Sequence, residues 1–271
     1  MKAGIPNLFK VSDSLYRSAQ PTDEGLRNLR ELGIVTVVNL RAFHSDRDEL
    51  DPDLGYEHIH MTVFVKICGV TDEAALDAAV AAGADAIGFV FHAPSRRNLA
   101  PRRAAGLASR LPSGVLAVAV TRHPEPDLVH RVLEALQPDA WQTDAVDFER
   151  IRLPPAIQCW PVLRDGATDI PRGRLVFDAP ESGQGRRADW GAAAALAQRS
   201  ELILGGGLDA GNIAEAIAAV RPFGVDVSSG VESAPGVKDL ARIRAFIAAA
   251  RGSMASTASS AERPFSGAPE A

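Results

Sequence analysis

Cysteine is almost missing from this sequence: Cys68 and Cys159 are the two present in 271 residues, too few for a disulfide framework. Long apolar runs are missing as well. No stretch approaches the ~20 consecutive apolar residues of a membrane-spanning helix, and the N-terminus, MKAGIPNLFKVSDSLYRS, has no apolar core of signal-peptide type. A reducing cytoplasm is the expected compartment. Aromatic residues are few, and no charge of one sign dominates: the net charge is −5, with arginines interspersed among acids. That excludes the basic footprint of a nucleic-acid binder. What remains is a chain that is 46% hydrophobic, long enough to bury a full core and about the size of one eight-stranded βα barrel.

What the chain has instead is concentrated between Ile203 and Glu232, ILGGGLDAGNIAEAIAAVRPFGVDVSSGVE. An apolar run, a glycine-rich turn, an amphipathic helix, a second apolar run and a small-residue turn follow one another. Gly205, Gly206 and Gly207 let backbone N–H groups approach an anion closely, and Ser228, Ser229 and Gly230 can form a second concave set of donors. In a (β/α)8 barrel the loops after strands seven and eight form a common phosphate site. The segment therefore reads as the last third of such a barrel.

From Phe64 onward short β-rich runs alternate with Ala-rich helical stretches, the pattern of parallel βα units. Eight runs are expected as strands: Phe64–Cys68, Ala86–Phe91, Val115–Val120, Ala140–Thr143, Cys159–Arg164, Arg174–Ala179, Leu202–Gly205 and Gly224–Ser228. Helices are expected near Asp72–Ala82, Pro101–Arg110, Pro126–Leu136, Asp189–Gln198, Ala210–Val220 and Val237–Arg251. The segment after strand four reads only weakly as helix, and Asp165–Gly173 is too short for one. Beyond Arg251, residues 252–271 are small, polar and Pro-containing, and read as a disordered tail. With period two, Lys66 and Cys68 share one face of the first strand, and Arg174, Val176 and Asp178 share one face of the sixth. Barrel closure puts strand eight beside strand one, so Lys66 is expected against Asp226.

Residues 1 to about 60 differ in character. LYRSAQP, an expected helix over Thr22–Leu32, LGIVTVVNLR and GYEHIHM resemble the opening of cysteine-dependent dual-specificity phosphatases. Those enzymes need a Cys and an Arg separated by five residues, and neither cysteine supplies that: Ala74 stands six positions beyond Cys68, and Cys159 and Arg164 enclose only four residues. The segment is read as a non-catalytic αβ appendage, with the barrel over residues 61–251.

Across residues 64–251, VKICGVT, GADAIGFVF, Ser95-Arg96-Arg97, the aspartate of LVFDA, Gly206-Gly207-Leu208 and VDVSSGVE with APG behind it resemble, in order and spacing, phosphoribosylanthranilate isomerase of tryptophan biosynthesis. The resemblance implies an Amadori rearrangement of N-(5-phosphoribosyl)anthranilate, a small-molecule substrate, with no cofactor and no metal. It assigns Cys68 as general base and Asp178 as general acid. Arg97 becomes the grip on the anthranilate carboxylate, and Gln142, Asp226 and the loop residues Gly206, Gly207, Ser228, Ser229 and Gly230 the rest of the binding site. A cysteine base calls for a nearby cation. The chain departs from the family at Asp144, where a histidine is usual, and at Gln184 and Ala188, where a small hydroxyl residue and Phe are common; a mobile lid is expected there. An indole-glycerol-phosphate synthase type of barrel would want an inward Lys–Glu pair, which is not visible in the sequence. A non-catalytic sugar-phosphate-binding barrel would have lost Cys68 or Asp178, and both are present. The expected assembly is a monomer or homodimer.

Overall fold

The computed structural model describes residues 9–10, 16–17, 28–29, 31, 36–39, 57–60, 63–164, 173–179 and 186–260. The chain divides into two units, Met1–Thr62 and Val63–Ala271. In the first, Phe9–Lys10 pairs antiparallel with Tyr16–Arg17, and Thr36–Asn39 pairs parallel with Glu57–His60. Of the helix expected over 22–32, Asn28, Leu29 and Glu31 are helical and the remainder lies outside the described residues.

The second unit is a closed parallel barrel. Its strands are β1 (Phe64–Cys68), β2 (Ala86–Val90), β3 (Leu116–Val120), β4 (Ala140–Asp144), β5 (Gln158–Leu163), β6 (Arg174–Phe177), β7 (Glu201–Leu204) and β8 (Gly224–Val227). They follow one another around the barrel, and β8 closes onto β1 with Asp226 in register with Lys66. The helices are α1 (Glu73–Ala82), α2 (Pro101–Ala108), α3 (Pro126–Leu136), α4 (Trp190–Ala197), α5 (Ile213–Val220) and α6 (Leu240–Ser260). Local chemistry sets their ends. The Asp72 side chain accepts the Ala75 N–H to open α1, which closes on Gly83 in the left-handed region. Proline occupies the first turn of α2 and α3, where its missing N–H costs nothing, and Asp189 caps α4. After β4 there is only a 3-10 helix, Ala145–Glu149; residues 165–172 and 180–185, with Gln184 and most of the expected lid, lie outside the described residues.

At the C-terminus the backbone of α6 runs on to Ser260, into the stretch expected as a tail. A helix already nucleated extends at little cost per residue, and α6 is tied down at Arg251, whose Nη2 donates to Gly83 O at 2.9 Å and Asp85 Oδ2 at 2.7 Å. Residues 261–271 lie outside the described residues.

The core has two layers. Val65, Ile67, Leu175 and Phe177 pack with the helices, whereas Phe64, Ala86, Val118, Ala140, Trp160, Val162, Val176 and Ile203 fill the barrel. Each large apolar side chain so buried contributes roughly 2 kcal/mol. At the N-terminal end of the barrel, the Arg174 guanidinium lies over Phe64, Trp160 and Phe223 and pairs with Glu201 at 2.9 Å.

Candidate active site

Strand β1 carries Phe64, Lys66 and Cys68 inward in ascending layers. Cys68 is in register with Gly88 on β2, and a Cβ there would lie 2.9 Å from the Cys68 Sγ and 3.2 Å from Lys66 Cε. Gly88 is thus the space in which thiol and ammonium stem meet. Lys66 has no exposed side-chain surface, and its Nζ lies 2.9 Å from Asp226 Oδ1, as barrel closure predicted. Burial is the largest influence on Lys66 and pushes its pKa down, but Asp226 and Cys68 outweigh it and the net direction is up. The thiol itself departs from expectation. Burial pushes the Cys68 pKa up and Asp226 adds to this, while Lys66 and Lys238 only partly offset them. The cations expected beside the cysteine are present, and desolvation still wins.

Asp178 directly follows β6 and shares the parity of Val176, an interior residue. It is partly buried, and its N–H donates to Leu163 O at 3.0 Å, extending the pairing with β5. Its Oδ1 accepts the Ala179 N–H at 2.8 Å and stands 3.1 Å from where a Gly206 Cβ would be. The carboxylate therefore rests against the first glycine loop.

That loop needs its glycines twice over. Gly206 and Gly207 have φ of 83° and 64°, and a Cβ on Gly207 would come within 2.8 Å of the Arg186 carbonyl. The second loop packs directly onto the first, since a Cβ on Gly230 would lie 1.9 Å from Leu208 O. Ser228 begins the 3-10 helix Ser229–Val231. Its hydroxyl donates to Cys68 O at 3.1 Å and receives Lys238 Nζ at 3.3 Å, so the Ser228 side chain, one of the predicted phosphate donors, is engaged within the protein.

Arg97 is also more engaged than its motif suggested. Its Nε and Nη2 donate to Glu232 Oε1 and Oε2 at 2.7 and 2.8 Å. Glu232 lies on β9 (Glu232–Ala234), which forms a hairpin with β10 (Val237–Lys238), and it also accepts Lys238 Nζ at 2.8 Å. Glu232 and Lys238 form an ion pair beside the Ser228 loop, but not the acid–base Lys–Glu set that an indole-glycerol-phosphate synthase type of barrel would want. Hydrogen bonds from Arg97 and Lys238 outweigh the effect of burial and hold the Glu232 carboxyl at about 2, which makes it a permanent anion rather than an acid–base group. The signal for it was present in SSGVE and GVKD: charges placed immediately after a strand and a small-residue turn.

On the opposite side, Gln142 shares the inward parity of Ala140 and is 6% exposed, with its Oε1 buried and without a hydrogen-bond partner among the described residues. An unmet acceptor costs about 1–3 kcal/mol, which a substrate donor would recover. Asp144, in place of the family histidine, takes a hydrogen bond from Arg164 Nη1 and lies 3.3 Å from His123 Nε2 and 3.8 Å from Arg122 Nε. His123, at φ 47°, contacts Asp147 through its Nδ1 at 2.9 Å and its N–H at 3.0 Å. Among the described residues, His123, Asp144 and Asp147 form a group whose ligand atoms lie within 4.8 Å of one another, but Arg164, Thr143 and His123 already satisfy these carboxylates. The departure at Asp144 therefore produces an ion-pair network on β3–β5.

A closed barrel of eight parallel strands, two mutually packed small-residue loops after β7 and β8, and a buried thiol beside a lysine at the same mouth define the class: a (β/α)8-barrel enzyme. Residues 65–249 match the family model for N-(5'phosphoribosyl)anthranilate (PRA) isomerase. The N-(5'-phosphoribosyl)anthranilate isomerase of Dechloromonas aromatica is 41% identical over 207 residues, covering 70% of this chain and 97% of that protein. That of Nitrobacter winogradskyi is 39% identical over 211 residues, 70% of this chain and 94% of the relative. The structure of phosphoribosyl anthranilate isomerase from Thermotoga maritima matches with a TM-score of 0.60 at 32% identity, over 70% of this chain and all of that one. A phosphoribosyl anthranilate isomerase solved with reduced 1-(o-carboxyphenylamino)-1-deoxyribulose 5-phosphate matches equally, at TM-score 0.60, 32% identity and the same coverage. The chain belongs to the N-(5'-phosphoribosyl)anthranilate isomerase family. Among the described residues no helix is long and apolar enough to cross a membrane.

Proposed function

We propose that this enzyme converts N-(5-phosphoribosyl)anthranilate to 1-(2-carboxyphenylamino)-1-deoxyribulose 5-phosphate in tryptophan biosynthesis, with Asp178 as general acid and Cys68 as general base. Opening the ribose ring requires a proton on the ring oxygen, and the Amadori step requires removal of the C2 proton, so two titratable groups must serve one bound sugar. The observation that carries the reading is that Cys68 and Asp178 each end an inward-facing stripe at the C-terminal mouth, Cys68 beside the Ser228 loop and Asp178 against the Gly206 loop. In this reading the backbone of Gly206, Gly207, Ser229 and Gly230 receives the phosphate, Arg97 the carboxylate and Gln142 Oε1 a substrate donor. Asp226 acts through Lys66, keeping a cation beside the thiol. A thiol with a raised pKa is scarce as thiolate but strong as a base, which suits abstraction of a carbon-bound proton.

The small-molecule substrate needs no partner chain. We expect a monomer or homodimer, in keeping with the dimeric Thermotoga maritima relative from which monomers have been generated, in a cytoplasm that keeps both cysteines reduced. Cys68→Ala and Asp178→Asn should each lower turnover by roughly 10²- to 10⁴-fold. Steady-state kinetics check this, and turnover near wild type in either variant removes that residue from its role.

A further inference from the structure

We propose that Glu232 and Lys238 are positioning residues of this isomerase: their ion pair sets the plane of the Arg97 guanidinium toward the substrate's carboxylate and ties it to the loop that holds the phosphate. The proposal rests on the reading of Arg97 as the carboxylate grip. Glu232, with 4% of its side chain exposed, accepts Arg97 Nε and Nη2 at 2.7 and 2.8 Å, Lys238 Nζ at 2.8 Å and the Gly236 N–H at 3.2 Å. A guanidinium carries five N–H donors in one plane. A bidentate partner on its Nε–Nη2 edge therefore determines where the remaining donors lie.

Lys238, with no exposed side-chain surface, completes the link by donating to Ser228 O at 2.9 Å and Oγ at 3.3 Å. The Ser228 hydroxyl in turn donates to Cys68 O. Arg97 is also located from below: Gly69, at φ 73°, leaves room for its stem, and a Cβ there would lie 2.4 Å from Arg97 Cδ. Loops after β1, β2 and β8 thus meet on one guanidinium. A buried ion pair of this kind adds little stability over an apolar replacement; what it supplies is orientation, and a displacement of about 1 Å in a substrate clamp can cost about 10²-fold in rate.

The test uses the full chain and two ligands, reduced 1-(o-carboxyphenylamino)-1-deoxyribulose 5-phosphate and its phenylamino counterpart without the ring carboxylate, with affinities from calorimetry. Glu232→Gln is expected to weaken the carboxylated ligand by at least about tenfold and the other by less than about threefold, as loss of an oriented charge-assisted contact does. Arg97→Met should show the same selective loss. If Arg97→Met weakens both ligands alike, the reading of Arg97 fails and this proposal with it. If Arg97→Met is selective but Glu232→Gln weakens both alike or neither, the proposal is overturned and the reading of Arg97 stands. Should Glu232→Gln not fold, Glu232→Asp, which keeps the charge one methylene further from Arg97, should show the same selectivity, and equal weakening of both ligands overturns the proposal.

Discussion

Cys68 shows how burial and charge compete over one side chain. Desolvation raises its pKa more than Lys66 and Lys238 lower it, so a reaction that needs the thiolate should still be gaining rate in the alkaline range. The expected kcat/KM rises through pH 8 to 9, with an apparent pKa above the ordinary thiol value of about 8.5, and a profile already flat near neutrality would contradict this. Lys66→Met should move the rise further alkaline, because it removes a cation. It should also destabilise the fold by about 3–5 kcal/mol in urea melts by leaving Asp226 unpaired, and Lys66→Met with Asp226→Leu should recover much of that. Glu232 titrates in the opposite sense. Its folded pKa of about 2 lies below the unfolded value of about 4.3, so its contribution is complete above pH 5 and is lost as pH falls toward 2. The shift corresponds to about 3 kcal/mol, and Glu232→Gln should flatten stability against pH across that window.

Among the elements, the loops after β7 and β8 act as one unit because Gly230 touches the Leu208 carbonyl. Gly230→Ala must separate them, and the expected result is a KM for the phosphorylated substrate raised by more than about tenfold, with a smaller change in kcat, together with weaker binding of inorganic phosphate. An unchanged KM would mean that the loops bind phosphate independently. The strands were legible because period two and β-branched runs mark them directly, and the inward set Lys66, Cys68, Val176 and Asp178 followed from parity alone. The β9–β10 hairpin was not legible. Its two strands are short, and it is tied to the barrel by Glu232 bonding to Arg97, 135 residues earlier in the chain.

For the molecule as a whole, the division at Thr62–Val63 supports a cut. The barrel closes on itself through Asp226 and Lys66, and a segment of about 60 residues is marginal as an independent core. We expect residues 61–260 to retain kcat/KM within about tenfold of the full chain and a similar melting temperature. The C-terminal limit keeps all of α6, including Arg251 and its bonds to Gly83 and Asp85. A larger drop, equivalent to more than about 1.4 kcal/mol of transition-state stabilisation, would mean that the first unit shapes the site.

The amino-acid order alone determined the barrel, its strand parity and the family, because each depends on short-range periodicity or on motifs that keep their meaning wherever the chain places them. It also determined the meeting of Lys66 and Asp226, since closing eight strands leaves the last beside the first. The tertiary structure decided what these groups are electrically. The raised pKa of Cys68, the permanent charge of Glu232, the unmet Gln142 Oε1 and the capture of Asp144 by Arg164 all depend on the exclusion of water and on partners far away in the chain. Dielectric and distance act through space, and a sequence pattern carries neither until the chain has closed.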